Sequence, residues 1–448
     1  TIDVGAGGFT DAVGNTNSAA TQFNWLQDDT KPTMAITASQ GADGFTSNDA
    51  TLSLTFTSNE ATANFLVGDI SVSNGALSDF VATSTTVYTA TFTPTADGAT
   101  TIDVAADGFT DAAGNTNTAA TQFNWLQDDT KPTMTITASQ GADGLTSNDA
   151  ALSLTFTSSE ATSNFAVGDI SVSNCALSAF SATSTTVYTA TCTATADGAT
   201  TIDVGAGGFT DAVGNTNSAA TQFNWLQDDT VPTVGISTIG TDGYVSNSEL
   251  SNGFTITGTA FGADSQDVTV TYGGVTDADT VTVSSGAWSV TICDDEDCSG
   301  VNTQGLVAVT VNVDDAAGNS AVTASGNAFQ DTVAPTMTIT ASQGSDGFSS
   351  SDAALSLTFT SSEVTSNFAV GDISVSNCAL SAFSATSTTV YTATCTATAD
   401  GATTIDVGAG FTDAAGNPNT AATPVSYTHL RAHETREDRG CPRLLEKK

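Results

Sequence analysis

The sequence predicts an all-β chain, a tandem array of β-sandwich domains, on three observations. Text recurs at a spacing of one hundred residues: Phe9–Gly44 returns almost letter for letter at Phe109–Gly144, and its first half again at Phe209–Thr230. A fixed period of self-similar text is the signature of a repeat architecture. Within each period apolar residues alternate strictly over short runs with Thr and Ser between them, the pattern of strands with one buried face. The runs are separated by what reads as turn chemistry, GADG, DIS-VSN, ADGA and DAVGN, and no helical period is visible.

Taken in order, residues 1–27 read as the last strands of a truncated repeat, so the chain reads as a piece of something longer. The first complete domain is expected over 28–127 and the second over 128–227. In the second, Met134, Ile136 and Ala138 alternate, as do Leu152, Leu154 and Phe156, then Tyr188, Ala190 and Cys192. Ile202 with Val204, and Phe223 with Trp225, complete the set. Seven or so such strands in about one hundred residues point to an immunoglobulin-like sandwich. Residues 228–330 are again strand and turn but follow a second type of text, and 331–424 return to the first type. From Val425 the segment VSYTHLRAHETREDRGCPRLLEKK replaces the expected QFNWLQDD strand. Its abrupt change of composition reads as a non-native tail over 425–448, with a basic membrane-proximal or targeting tail as the other reading.

Charge narrows the function classes. The chain has 48 acids and 8 bases. Four of those acids and six of those bases follow Thr423, which leaves 44 acids against Lys31 and Lys131. Such a surface repels nucleic acid and anionic lipid, which are recognised by clustered Lys and Arg. It suits a solvated chain in salt water, or one whose carboxylates are neutralised by divalent cations. The regular alternation of a 39% hydrophobic sequence argues against disorder, and no run of eighteen apolar residues predicts membrane insertion.

The first-type units resemble the bacterial Ig-like repeats of large surface or secreted adhesins. The residues that carry the resemblance are the D-x-x-x-P-T start, F-T-S-x-E, D-I-S-V-S-N, Y-T-A-T and F-T-D-A-A-G-N. The third unit is similar to a related adhesin repeat, through ITGTA, GAWSV and DAAGN. The resemblance implies non-catalytic extender modules, often stiffened by calcium, with an extracellular or cell-surface location. It also implies that any cell-surface glycan or protein is held through regions outside this stretch.

Of the seven cysteines, Cys441 lies in the tail and the other six come in pairs. Cys175 and Cys192 flank ALSAFSATSTTVYTAT, and Cys378 and Cys395 flank the same text in the fourth unit. A hairpin turning at Thr183–Ser184 would set Cys175 directly opposite Cys192. In the first unit the two positions are Gly75 and Phe92, so both cysteines are lost together. That favours disulfides over unrelated buried thiols, and disulfides point outside the cytosol. Cys293 and Cys298 leave two readings, a short disulfide loop and zinc; neither a His nor a second Cys pair stands nearby for the metal.

Carboxylates are the candidate ligands of a structural calcium ion. In a sandwich the start of the first strand shares a pole with the loops after the second and sixth strands. In the second unit this gathers Asp128, Asp129, Glu160, Asp169, Asp211 and Asn215. Corresponding sets are Asp28, Asp29, Glu60, Asp69, Asp111 and Asn115 in the first unit, and Asp331, Glu363, Asp372, Asp413 and Asn417 in the fourth. Calcium takes six to eight oxygens from carboxylates, amides and carbonyls; the plainer reading is a Gly-Asn turn among solvated acids. The third unit lacks the S-E-x-T and G-D-I pieces and offers only Asp264, Asp267 and Asp315.

Trp25, Trp125 and Trp225 alternate with Phe and are expected in the core or the joints, with a sugar-stacking platform as the lesser reading. No His occurs in residues 1–424, which excludes Ser–His and Cys–His catalysis there. Carboxylate pairs for glycoside hydrolysis would need a cleft that short-looped sandwiches do not offer. The function expected is therefore a calcium-stiffened extender of an exported adhesin, not an enzyme. The alternatives are a carbohydrate- or surface-binding module and an accessory array of a secreted enzyme.

Overall fold

The computed structural model describes residues 1–276, 280–294 and 297–430. It divides into two compact units, residues 1–145 with 149–227, and residues 146–148 with 228 onward. The fold is a tandem array of all-β Ig-like sandwiches.

The domain that begins near Asp28 shows the plan. Its strands are β1 (Met34–Ala38), β2 (Phe45–Ser47), β3 (Leu52–Ser58), β4 (Ile70–Ser73), β5 (Gly75–Ala82), β6 (Val87–Pro94), β7 (Gly98–Val104) and β8 (Phe123–Gln127). They form two four-stranded sheets, β1-β3-β6-β5 and β2-β8-β7-β4. The inward residues are the apolar members of each alternation. Leu52, Leu54, Phe56, Phe92, Ile102, Val104 and Trp125 are each at most 1% exposed. Eight strands stand where seven or so are expected, because the three residues after the GADG turn run parallel to β8, Phe45 beside Trp125. The turn needs its first glycine: a Cβ on Gly41 would fall 2.4 Å from the Phe45 ring. The DIS-VSN text, expected as a turn, is strand β4, which pairs antiparallel with β7 and buries Ile70.

The same eight strands recur from Met134–Ala138 to Phe223–Gln227 and from Met337–Ala341 to Val425–His429. The last of these bears on the expected tail. Val425 and Tyr427 are buried, and Val425–His429 pairs along Gly401–Ile405 in the place that Phe123–Gln127 holds beside β7. The change of composition at 425 thus falls inside a strand, and residues 431–448 lie outside the described residues.

The hairpin bearing the cysteines has a different register from the one expected. Cys175 pairs with Ala194 and Leu177 with Cys192, with an irregularity between Ser178 and Ser181, where Ala179 has φ 51°. Ala182 pairs with Tyr188, so the hairpin turns about Thr185 rather than at Thr183–Ser184. That moves each partner three residues along, the bulge takes one back, and the count misses by two. The disulfide Cys175–Cys192 closes diagonally, with a Cα–Cα distance of 5.7 Å, and Cys378–Cys395 does the same. In the first domain a Cβ at Gly75 would stand 2.3 Å from Cζ of the buried Phe92 ring. One ring therefore fills the space of the cross-link, which is why the two positions change together.

The domain from Asp228 packs Thr233–Ile239, Phe254–Phe261 and Ala287–Ile292 against a second sheet built on Asp267–Tyr272, Gly305–Val313 and Ala324–Gln330. Cys293–Cys298 is a disulfide there. Against the all-strand expectation, Asn247–Asn252 is a short α-helix, α1. Its start is a capping box: Ser246 Oγ accepts from Glu249 N, and Glu249 Oε2 accepts from Ser246 N. Among the described residues no helix is long and apolar enough to cross a membrane.

Residues 1–27 make only isolated bridges, Ile2 with Phe23 and Thr10 with Thr16. Trp25, expected in a core or joint, is 68% exposed, whereas Trp125 and Trp225 are buried.

Candidate metal centre

Three local devices bring acids to one pole of each first-type domain. The first is the FTDAAGN loop between β7 and β8. Asn117 is 1% exposed and staples it, Oδ1 accepting from the backbone N–H of Gly108 (2.8 Å) and Phe109 (3.0 Å), and Nδ2 donating to Ala105 O and Thr118 O. Asp111 Oδ1 accepts from the N–H of Asn115 at 2.8 Å, and Asp111 Oδ2 from Asn115 Nδ2 at 2.8 Å. The Asn115 hydrogen bond, foremost, holds the Asp111 carboxyl below the usual carboxylate range. The second device is the linker: Asn115 Nδ2 also donates to Asp28 O, and Thr118 N donates to Pro32 O. The third is the loop after β3, drawn against the first by the bridge Thr62–Asp111.

The result is a triad. In Asp28, Glu60 and Asp111, one carboxylate oxygen of each lies within 4.8 Å of the other two. Asp128, Glu160 and Asp211 repeat it, and so do Asp331, Glu363 and Asp413. Burial, and then the neighbouring Asp28 and Asp111, push the Glu60 carboxyl up. Glu160 and Glu363 are raised by the same two causes in the same order. Oε1 of Glu60 and of Glu363 is buried and has no hydrogen-bond donor. A buried anionic oxygen without a partner, beside two further carboxylates, is energetically unfavourable unless a proton or a cation meets it. The donor set is entirely hard oxygen, which fits calcium or magnesium better than a softer metal.

The remaining expected ligands stand elsewhere. Asp69, Asp169 and Asp372 do not join the triads; each Oδ2 accepts at 2.8 Å from a backbone N–H three residues earlier, on Leu66, Ala166 and Ala369. Asp29 is on the exposed linker. Asp129 meets Asp97 of the preceding domain, whose carboxylate accepts from the N–H of Asp129 at 2.9 Å and from the Thr130 hydroxyl. The hydrogen bond with Asp97 raises the Asp129 carboxyl, and the Thr130 hydroxyl chiefly lowers that of Asp97. Asp97 also adds to the rise of Glu160. Sequence reasoning missed it, although the ADG turn that carries it recurs in every first-type unit. Asn115, Asn215 and Asn417 each donate both Nδ2 hydrogens within their own domain, to an Asp carboxylate and a linker carbonyl. They bracket the triads.

The third domain keeps part of this pole. Asn319 Nδ2 donates to Asp228 O and Asp315 Oδ2. Met34 pairs with Ser58 in the first domain, and Val234 with Ala260 in the third, so the residue in the place of Glu60 is Gly262. Asp264 is spent on Gly286 N and Asp267 on the Thr282 hydroxyl. No triad forms there among the described residues.

The family described as bacterial Ig-like domain matches residues 28–126, 128–226 and 331–429. No curated protein matches the chain. Among solved structures the chain is similar to a Ca2+-stabilised adhesin that helps an Antarctic bacterium reach out and bind ice. The identity is 20%, over 90% of this chain and 99% of that one, with a TM-score of 0.35. A bacterial immunoglobulin-like domain from the M. primoryensis ice-binding adhesin is 30% identical over 23% of this chain and 99% of that one, with a TM-score of 0.19. The Escherichia coli adhesin FdeC is 13% identical over 67% of this chain and 98% of that one, with a TM-score of 0.30.

Proposed function

Since the chain belongs to the bacterial Ig-like domain family, we propose that it is a structural extender, a stalk segment of a large exported bacterial adhesin, rigidified by calcium at its Asp–Glu–Asp triads. One observation carries the calcium part: the buried Oε1 of Glu60 and of Glu363 lacks a donor while two Asp carboxylates stand beside it. A divalent cation supplies the missing charge. Asp28, Asp128 and Asp331 sit on the linkers, so a cation shared with Glu and Asp of the domain body ties linker to domain. Waters and backbone carbonyls complete the six to eight oxygens that calcium takes. Tandem domains without a catalytic His fit a mechanical role at the cell surface or outside the cell. Adhesion to a glycan or protein is then the work of regions outside this stretch.

The test compares the full chain in calcium, in magnesium and in chelator, by small-angle scattering and thermal unfolding. Calcium should lengthen the particle and raise the melting temperature, and magnesium should do less. Superimposed profiles in calcium and chelator would falsify the calcium reading.

A second reading has one observation in its favour. The third domain carries a polar cleft lined by Asn247, Ser251, Asn302, Gln304 and Thr332, where a carbohydrate could be held by amides and hydroxyls. Reproducible binding on a glycan array, lost in Gln304→Ala, would favour a binding module over a plain extender.

A further inference from the structure

We propose that the buried asparagine of the DAxGN loop, Asn215 in the second domain and Asn417 in the fourth, is the pin that fixes its domain on the preceding one. The inference goes beyond the calcium reading and does not rest on it. An asparagine amide has two donor hydrogens on nitrogen and one acceptor oxygen. Both hydrogens of Asn215 are spent within its own domain and linker, on Asp128 O at 2.9 Å and Asp211 Oδ2 at 2.9 Å. Two acceptors on that side fix which way the amide points, so Oδ1 is turned outward. There it accepts from Asn48 Nδ2 of the first domain at 3.1 Å, just past β2.

The fourth domain repeats this with a different partner. Asn417 Nδ2 donates to Asp331 O at 2.7 Å and Asp413 Oδ2 at 2.9 Å. Its Oδ1 accepts from the backbone N–H of Asn247, in the third domain, at 3.0 Å. Asn247 is the first residue of α1, whose N–H has no acceptor within the helix. A side-chain amide at one joint and a helix-start N–H at the other meet the same oxygen, so the acceptor is the constant part of the contact. Burial agrees: Asn215 is 8% exposed and Asn417 3%, while Asn115, for which no acceptor bond of Oδ1 is seen among the described residues, keeps its Nδ2 bonds but is half-buried.

The experiment uses the full chain with spin labels on unnatural residues, at Thr57 and Thr157 for one joint and at Thr291 and Thr360 for the other. Pulsed EPR then reads the width of each interdomain distance distribution, in calcium and in chelator. Asn48→Ala and Asn215→Ala should each broaden the first distribution about two-fold, and the double variant no further, because both remove one bond. Asn48→Ala leaves the second domain's loop with all its own residues and internal hydrogen bonds, so its equal effect separates pinning from local loosening of that loop. At the other joint Asn417→Ala should broaden the distribution and Asn247→Ala should not, since its donor is the backbone. An unchanged width in Asn48→Ala or Asn417→Ala overturns the proposal, as does broadening by Asn247→Ala equal to that by Asn417→Ala. Failure of the calcium reading shows separately, as identical wild-type distributions in calcium and chelator, while the variants are still compared within each condition.

Discussion

Residues 1–30 and 201–230 are the same thirty letters, TIDVGAGGFTDAVGNTNSAATQFNWLQDDT. Trp25 is nevertheless 68% exposed and Trp225 1%. The loop itself is the same in both copies. Asp11 Oδ1 accepts from Val13 and Asn15 N–H and Asp11 Oδ2 from Asn15 Nδ2, as Asp211 does from Val213 and Asn215. Asn17 and Asn217 both accept from the N–H eight residues earlier, on Phe9 and Phe209. What differs is everything that needs a distant partner. Residues 198–204 and 223–227 are paired strands on a closed core, whereas 1–27 hold only single bridges. The turn is a local object held by side chains a few residues apart; the strand and the triad are not.

That contrast can be broken or sharpened, and the largest effect belongs to the tryptophans. Trp225→Ala should cost about 3–5 kcal/mol, the usual loss for emptying a large aromatic site, and Trp25→Ala should stay within about 0.5 kcal/mol. Denaturant unfolding with region-resolved hydrogen exchange reads both, and equal losses would mean that residues 1–27 are packed after all.

Next is the cross-link, which separates domains of nearly the same text. Reduction should remove about 3 kcal/mol from the second and fourth domains, on the chain-entropy value for a loop of this length, and nothing from the first. There Phe92 fills the space and stacks edge-on to Trp125. Loss of protection over residues 52–94 on reduction would contradict this.

Calcium is third. It should slow exchange at 128–130, 160–163 and 211–215, stabilising by about 2.7 kcal/mol at one hundred times the dissociation constant. The identical loop at 11–15 should not respond, because no Glu or linker Asp completes a triad there among the described residues. Glu160→Gln should abolish the effect, and protection of 11–15 by calcium would show that the loop alone suffices.

The smallest effect is that of pH, and its sign differs between the copies. Glu160 is raised, first by burial and then by Asp128 and Asp211, so in chelator its contribution is full below the unfolded glutamate value and is lost as pH rises through the folded value. The second domain should therefore gain slightly between neutrality and about pH 5, and in calcium the trend should reverse as protons displace the cation. Asp11 is lowered, chiefly by the Asn15 side chain, so the isolated loop should loosen as pH falls through the folded value. NMR titration of the amides of Asn15 and Asn215 distinguishes the two.

Much of the fold was legible because its signals are short-range. Alternation marks the inward faces of Leu152, Leu154 and Phe156, and the paired loss of Cys175 and Cys192 in the first unit marks the cross-link. The S-x-x-E cap of α1 was also there to read at Ser246–Glu249, and was overlooked because six residues are too few to show a helical period. The hairpin register was not legible, since the run of Thr and Ser at 183–186 does not show where the chain turns and a bulge at Ala179 leaves no mark in the alternation. Nor could Asp69 be told from Glu60 by letters alone: both are acids at the expected pole, but only one points inward.

By itself the sequence determined the repeat, the strand faces and the self-contained Asp–Asn loop, because each depends on residues close together in the chain. Only the tertiary structure decided which acids converge, that Asp97 reaches the next domain's linker, and that Asn215 faces outward to Asn48. Those contacts join segments tens to well over a hundred residues apart, and the loss of chain entropy in forming them is offset only when a whole core closes around them. Residues 1–27 carry the letters without that core, which is why Trp25 lies open and Trp225 does not.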